Sequence, residues 1–197
     1  MNQLSEMETY ITPIWSERFA EDQSKIYNYF HTHQTEIVFD FCSYAVKRIL
    51  PDVCYLQSME TQSEIAFLVI HFLKSSLLNK SYDYEIKLYN ESLYLDENDV
   101  AGYWYPEFLY QFADDEEVFL KKELQRKFII IKSYEIEILR RKLFSQYWGT
   151  AKQYFKILTN CLCERPEFKQ VKTNGKLRVL YGEHMGKLEE LEPGGDL

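Results

Sequence analysis

Apolar residues recur at helical spacing through the first fifty positions of the chain. Ser5 with Glu8 forms a capping box, and Thr12-Pro13 offers a second start, with threonine as N-cap and proline at the first helical position. Ile14, Trp15, Phe19, Ile26 and Phe30 follow on one helical face. Val38, Phe41, Cys42, Ala45 and Ile49 continue the i, i+3, i+4, i+7 series, which must end by Pro51. Thr61 with Glu64 is another capping box, and the apolar run from Ile65 to Leu78 leaves little polar face, which predicts a central, buried helix. His71 falls inside that run, where a satisfied core histidine is the expectation.

From Tyr82 the period changes to two. Tyr82, Tyr84, Ile86 and Leu88 alternate with Asp83, Glu85 and Lys87, the pattern of a half-exposed strand, and Asn90-Glu91-Ser92 would turn it into a hairpin. Asp114, Asp115, Glu116 and Glu117 place carboxylates at a helix N-terminus, and a long helical stretch follows that breaks at Gly149, with Thr150 capping a further helix to about Cys163. Phe128 to Leu139 is ambiguous, because Ile129-Ile130-Ile131 is β-branched; lacking a turn signal, it is read as helix. Asn174-Gly175 carries the type I′ hairpin signature between Phe168–Thr173 and Lys176–Tyr181. The expected architecture is a predominantly helical α+β single domain over residues 1–192, with one or two small antiparallel β-hairpins and a flexible tail at 193–197.

Composition narrows the choice of class. With 46% apolar and 27% charged residues, the 197-residue chain can bury a core without metals or disulfides. Seven glycines and five prolines are too few for a turn-rich fold or for low-complexity disorder. The amino terminus has no signal-like run and the longest apolar stretch is too short to span a bilayer, so a cytoplasmic protein with no membrane insertion is expected. Cys42, Cys54, Cys161 and Cys163 are then expected as reduced thiols.

Catalytic and metal motifs are weak. Gly182–Leu188 has too few residues between its glycines for a phosphate loop, and Leu188 stands where a hydroxyl must reach magnesium. Cys161 and Cys163 diverge on a helix, and the His31-x-His33 pair has no second ligand pair at zinc spacing. Asp96, Asn98 and Glu107 resemble parts of a calcium loop, but Val100 and Ala101 replace a ligand and the required glycine. No catalytic residue, cofactor or metal is therefore assigned, although an enzyme with a site assembled from dispersed residues remains an alternative.

Two features rise above this background. Tyr103, Trp104, Tyr105, Phe108 and Tyr110 crowd one short stretch, a composition suited to a partner-binding surface. Charge is also sorted along the chain: residues 1–120 carry net −14, residues 121–181 net +10 and residues 182–197 net −4. Lys121, Lys122, Arg126, Arg140, Arg141, Lys169, Lys176 and Arg178, interleaved with aromatics, suit phosphate neutralisation with base stacking. The leading expectation is a non-catalytic protein-interaction or regulatory module with an unknown protein partner. A nucleic-acid-binding accessory protein is the second reading, and a homodimer is compatible with either.

Overall fold

The computed structural model describes residues 3–98 and 100–191. Seven α-helices and five strands make up those residues: α1 (Gln3–Arg48), α2 (Leu50–Ser58), β1 (Ile65–Phe72), α3 (Lys74–Asn79), β2 (Tyr84–Tyr89), β3 (Ala101–Trp104), α4 (Glu107–Tyr110), α5 (Ala113–Lys127), α6 (Ser133–Phe144), α7 (Gln146–Cys163), β4 (Thr173–Glu183) and β5 (Leu188–Glu190). The fold is α+β and predominantly helical. Its strands do not form isolated hairpins; they join one mixed sheet in the order β3-β2-β1-β4-β5, in which β1 and β4 are parallel and the other pairs antiparallel. The expected tail at 193–197 lies outside the described residues.

The chain divides into two compact units, one comprising the residues up to His33 with Glu107–Thr150, the other Gln34–Pro106 with the residues from Ala151 onward. The first is all helical. Trp15 packs on Phe144, Phe19 and Phe144 on Tyr147, Tyr147 on Tyr110, and Phe30 on Phe108, with ring centroids 4.9–5.7 Å apart. The second contains the sheet. One sheet face carries Leu68, Ile70, Tyr84, Ile86, Trp104 and Tyr181, and Phe41 and Phe155 close over it; the Tyr84–Phe155 and Phe41–Trp104 centroids lie 4.7 and 5.0 Å apart.

Several elements differ from the sequence reading, each for a local physical reason. The Ile65–Leu78 run is not a helix: it is β1 followed by the short α3. Six of the eight β1 residues are buried, so both strand faces are apolar and the period of two disappears. All six residues of β2 are buried as well, so it is not a half-exposed strand; Glu85 and Lys87 alternate inward on its second face. The chain does not hairpin at Asn90-Glu91-Ser92. It passes through a 3₁₀ turn at Leu93–Leu95, and β3 is what pairs with β2.

Asn174-Gly175 makes no hairpin either. It lies inside the continuous β4, where Gly175 takes φ +74° and the register against β1 jumps from Ile65↔Thr173 to Phe67↔Arg178. The turn-forming pair thus becomes a bulge. Residues 128–132 are not helical, and α6 starts at Ser133. Conversely, α1 runs through Pro13 and interrupts its helical geometry only at His33 (φ −115°, ψ 20°), and α7 runs through Gly149.

Candidate metal centre

The second face of the sheet holds the most distinctive group of side chains in the molecule. His71 of β1 stands directly opposite Glu85 of β2 in the antiparallel register, so their side chains leave the sheet on the same side. On its other flank His71 is in register with Gly182 of β4. A Cβ at Gly182 would sit 2.1 Å from the Lys187 carbonyl oxygen, so glycine is what allows the β4–β5 turn to fold back there. That turn brings His184 over the sheet, with its ring centroid 5.0 Å from that of His71.

One donor atom each from His71, Glu85 and His184 lies within 4.8 Å of the other two. His184 Nδ1 is 3.0 Å from Glu85 Oε2, and the Tyr103 hydroxyl donates to Glu85 Oε1 at 3.1 Å. The Tyr89 hydroxyl is 3.4 Å from His71 Nε2. Tyr94 stacks on the His71 ring at 5.7 Å, and its hydroxyl accepts the Met185 backbone N–H at 3.2 Å, which fastens the turn carrying His184. Val69, Tyr89 and Leu180 form the apolar floor, flanked by Phe67, Leu93, Tyr94 and Leu188. Lys87 lies over the Tyr89 ring at 5.1 Å.

His71 is completely buried, and its Nδ1 makes no hydrogen bond of ordinary geometry among the described residues. Burial pulls its pKa down to about 4, with His184 and Lys87 adding to the effect and the Gly182 backbone weakly opposing it. The imidazole is therefore neutral at pH 7. Glu85 is nearly as buried, whereas His184 reaches solvent. The result is a histidine–carboxylate–histidine set, closed on the sheet side and open on the other.

The residues singled out in the sequence lie elsewhere, apart from Tyr103, whose hydroxyl bonds Glu85. Tyr103 and Tyr105 are exposed, while Trp104, Phe108 and Tyr110 are buried. The Trp104 indole donates to Asp40 at 2.9 Å, and Phe108 and Tyr110 belong to the helical unit's core. Of the basic residues, Lys121, Lys122, Arg126, Arg140 and Arg141 fall in the helical unit and Lys169, Lys176 and Arg178 in the sheet-containing one. Lys121 pairs with Glu117, Arg126 with Glu123, Arg141 with Glu137 and Arg178 with Glu190. Arg140 is wholly buried, bonded to Glu137 at 2.7 and 3.1 Å. Lys122, Lys169 and Lys176 are exposed.

Sequence reasoning placed His71 on an apolar helix and dismissed the Gly182–Leu188 segment as a poor phosphate loop, so the cluster was missed. One signal was present: alternating Glu85, Lys87 and Tyr89 form a polar stripe that needs partners if its strand is central. No family model, no curated protein and no solved structure matches the chain.

Proposed function

We propose that this protein binds a divalent transition-metal ion, zinc first among them, through His71, Glu85 and His184, and keeps an open coordination position on the His184 side. The observation that carries this reading is the convergence of one donor atom each from β1, β2 and the β4–β5 turn, with the β1 histidine fully buried. Two imidazoles with one carboxylate is a ligand set of catalytic zinc sites, where a fourth position holds water or substrate. Ligands about 2.1 Å from a tetrahedral ion stand about 3.4 Å apart, so the donors need to close by roughly an ångström. His184, at an exposed turn, is the side chain able to make that movement.

The surrounding tyrosines support the reading. Buried metal ligands are oriented by outer hydrogen bonds, and here Tyr89 addresses the far nitrogen of His71 while Tyr103 addresses the second oxygen of Glu85. Lys87 opposes it electrostatically, which favours a site whose carboxylate stays engaged rather than one built only of neutral ligands.

The test is titration of chelator-treated protein with Co²⁺ and Zn²⁺. A single equivalent of Co²⁺ giving a ligand-field spectrum of four- or five-coordinate geometry, displaced by Zn²⁺ and absent from His71→Ala and His184→Ala, is the expected result. No stoichiometric binding, or binding unchanged in both variants, refutes the reading.

A further inference from the structure

We propose that the segment Phe128–Lys132 and the start of α6 form a docking surface in the helical unit for an anionic lipid membrane surface. Ile129 is fully exposed and Ile130 is 71% exposed, and Tyr134 and Ile138 continue the apolar surface onto α6. Adjacent exposed isoleucines are uncommon on a surface that has no apolar neighbour to meet.

Their exposure is built into the loop. Phe128 packs edge-on against Tyr10 at 6.0 Å, the Gln3 side chain donates to the Ile130 carbonyl, and the Glu135 carboxylate accepts the Lys132 backbone N–H at 2.9 Å. Anchors at both ends of the segment leave Ile129 and Ile130 as its tip.

Charge decides the occupant. Of the basic residues in Lys121–Lys142, Lys121, Arg126, Arg140, Arg141 and Lys142 are engaged by carboxylates, so the positive charge this segment presents is that of Lys122, Lys127 and Lys132, although the whole chain carries net −8. Lys127 and Lys132 bracket the tip and make no ion pair among the described residues; their ammonium groups lie over the Tyr10 and Tyr134 rings at 4.6 and 5.7 Å. Screening over about 8 Å at physiological salt makes this local charge, not the net charge, what a surface feels. A narrow apolar tip ringed by lysine and tyrosine matches the boundary between acyl chains and anionic headgroups. A protein interface would need a wider patch, about 800 Å² per partner. The contact is with a surface, since no described helix is long and apolar enough to cross a membrane.

Co-sedimentation of the full chain with vesicles of phosphatidylcholine alone, or with one-third phosphatidylglycerol, tests this. Binding is expected to the anionic vesicles only, to fall as salt rises, and to weaken at least tenfold in Ile129→Asp/Ile130→Asp, whose exposed positions leave the melting temperature unchanged. Lys127→Glu/Lys132→Glu should abolish the preference for anionic lipid. The proposal is overturned by absence of binding to anionic vesicles or by binding that the isoleucine variant leaves intact. It is equally overturned if light scattering shows a dimer that this variant dissociates, since the tip would then be a contact between copies of the chain.

Discussion

His71 and Glu85 face each other directly across the β1–β2 pairing, a buried imidazole and a buried carboxylate on one side of a sheet whose opposite side is packed with aromatic rings. His71 is wholly buried and Glu85 nearly so, and polar groups beside them are tyrosine hydroxyls and the exposed ring of His184. From this relationship the behaviour of the surrounding shell can be anticipated.

Tyr89→Phe and Tyr103→Phe remove a hydroxyl from a ligand without removing the ligand. Each is expected to weaken Co²⁺ or Zn²⁺ binding by about 10–100-fold. The metal-free melting temperature should move little, because the rings remain. Equal affinity in the wild type and both variants would show that these tyrosines do not orient the ligands.

Gly182→Ala and Gly102→Ala should differ in severity. At Gly182 the new Cβ meets a backbone oxygen at 2.1 Å, whereas at Gly102 it meets side-chain atoms, Ile49 Cδ1 and Cγ1 at 2.7 and 2.8 Å. We expect Gly182→Ala to cost about 3 kcal/mol or more, and Gly102→Ala nearer 1 kcal/mol. Chemical denaturation of the two variants measures this, and the reverse order would show that the β4–β5 turn adapts.

The helical unit holds a buried acidic pair, Glu116 beside Asp22, with Arg18 Nε 2.6 Å from Glu116 and Lys25 Nζ 2.8 Å from Asp22. Burial and the Asp22 carboxylate raise Glu116 from 4.5 to about 7. The folded state therefore holds a proton that the unfolded state releases between those values. This contribution is fully present below pH 4.5 and is lost as pH rises through 7. It amounts to on the order of 3 kcal/mol. Denaturation at pH 5 and pH 8 should show Glu116→Gln flattening the decline. A pH dependence identical to that of the wild type would contradict it.

Arg140 is buried against Glu137, with Glu117 4.0 Å away, and its guanidinium lies 5.6 Å from the Phe144 ring. Arg140→Ala removes a buried cation, and should cost roughly 3 kcal/mol, towards the low end for a broken buried pair because Lys121 still pairs with Glu117, Arg141 with Glu137, and Glu137 keeps some solvent. Lys122→Ala, at an exposed position, should leave stability within about 0.5 kcal/mol. Any nucleic-acid binding measured for this chain is then read through Lys122, Lys169 and Lys176 rather than through Arg140.

Helical periodicity in the first fifty residues and the acidic start of α5 were legible because they depend on neighbours one turn away, and the predominantly helical α+β class followed from them. The expected caps did not hold, since Ser5, Thr12 and Pro13 lie inside α1, Thr61 and Glu64 precede the strand β1, and Thr150 lies inside α7. The sheet was less legible. A strand buried on both faces loses alternation, so β1 looked like a helix, and Asn174-Gly175 looked like a hairpin although its strand continued into a parallel pairing with β1. Local chemistry offered a turn there, and long-range pairing converted it into a bulge.

The site illustrates the same division. Residue types and charge sorting are properties of the chain itself, and they determined that aromatic packing would dominate the interior and that positive charge would gather after position 120. Which ionisable groups meet was decided only by tertiary structure. His71, Glu85 and His184 are separated by up to 113 positions and converge through cross-strand register and a glycine-permitted turn. Register is a relation between strands, and no spacing within one strand can encode it.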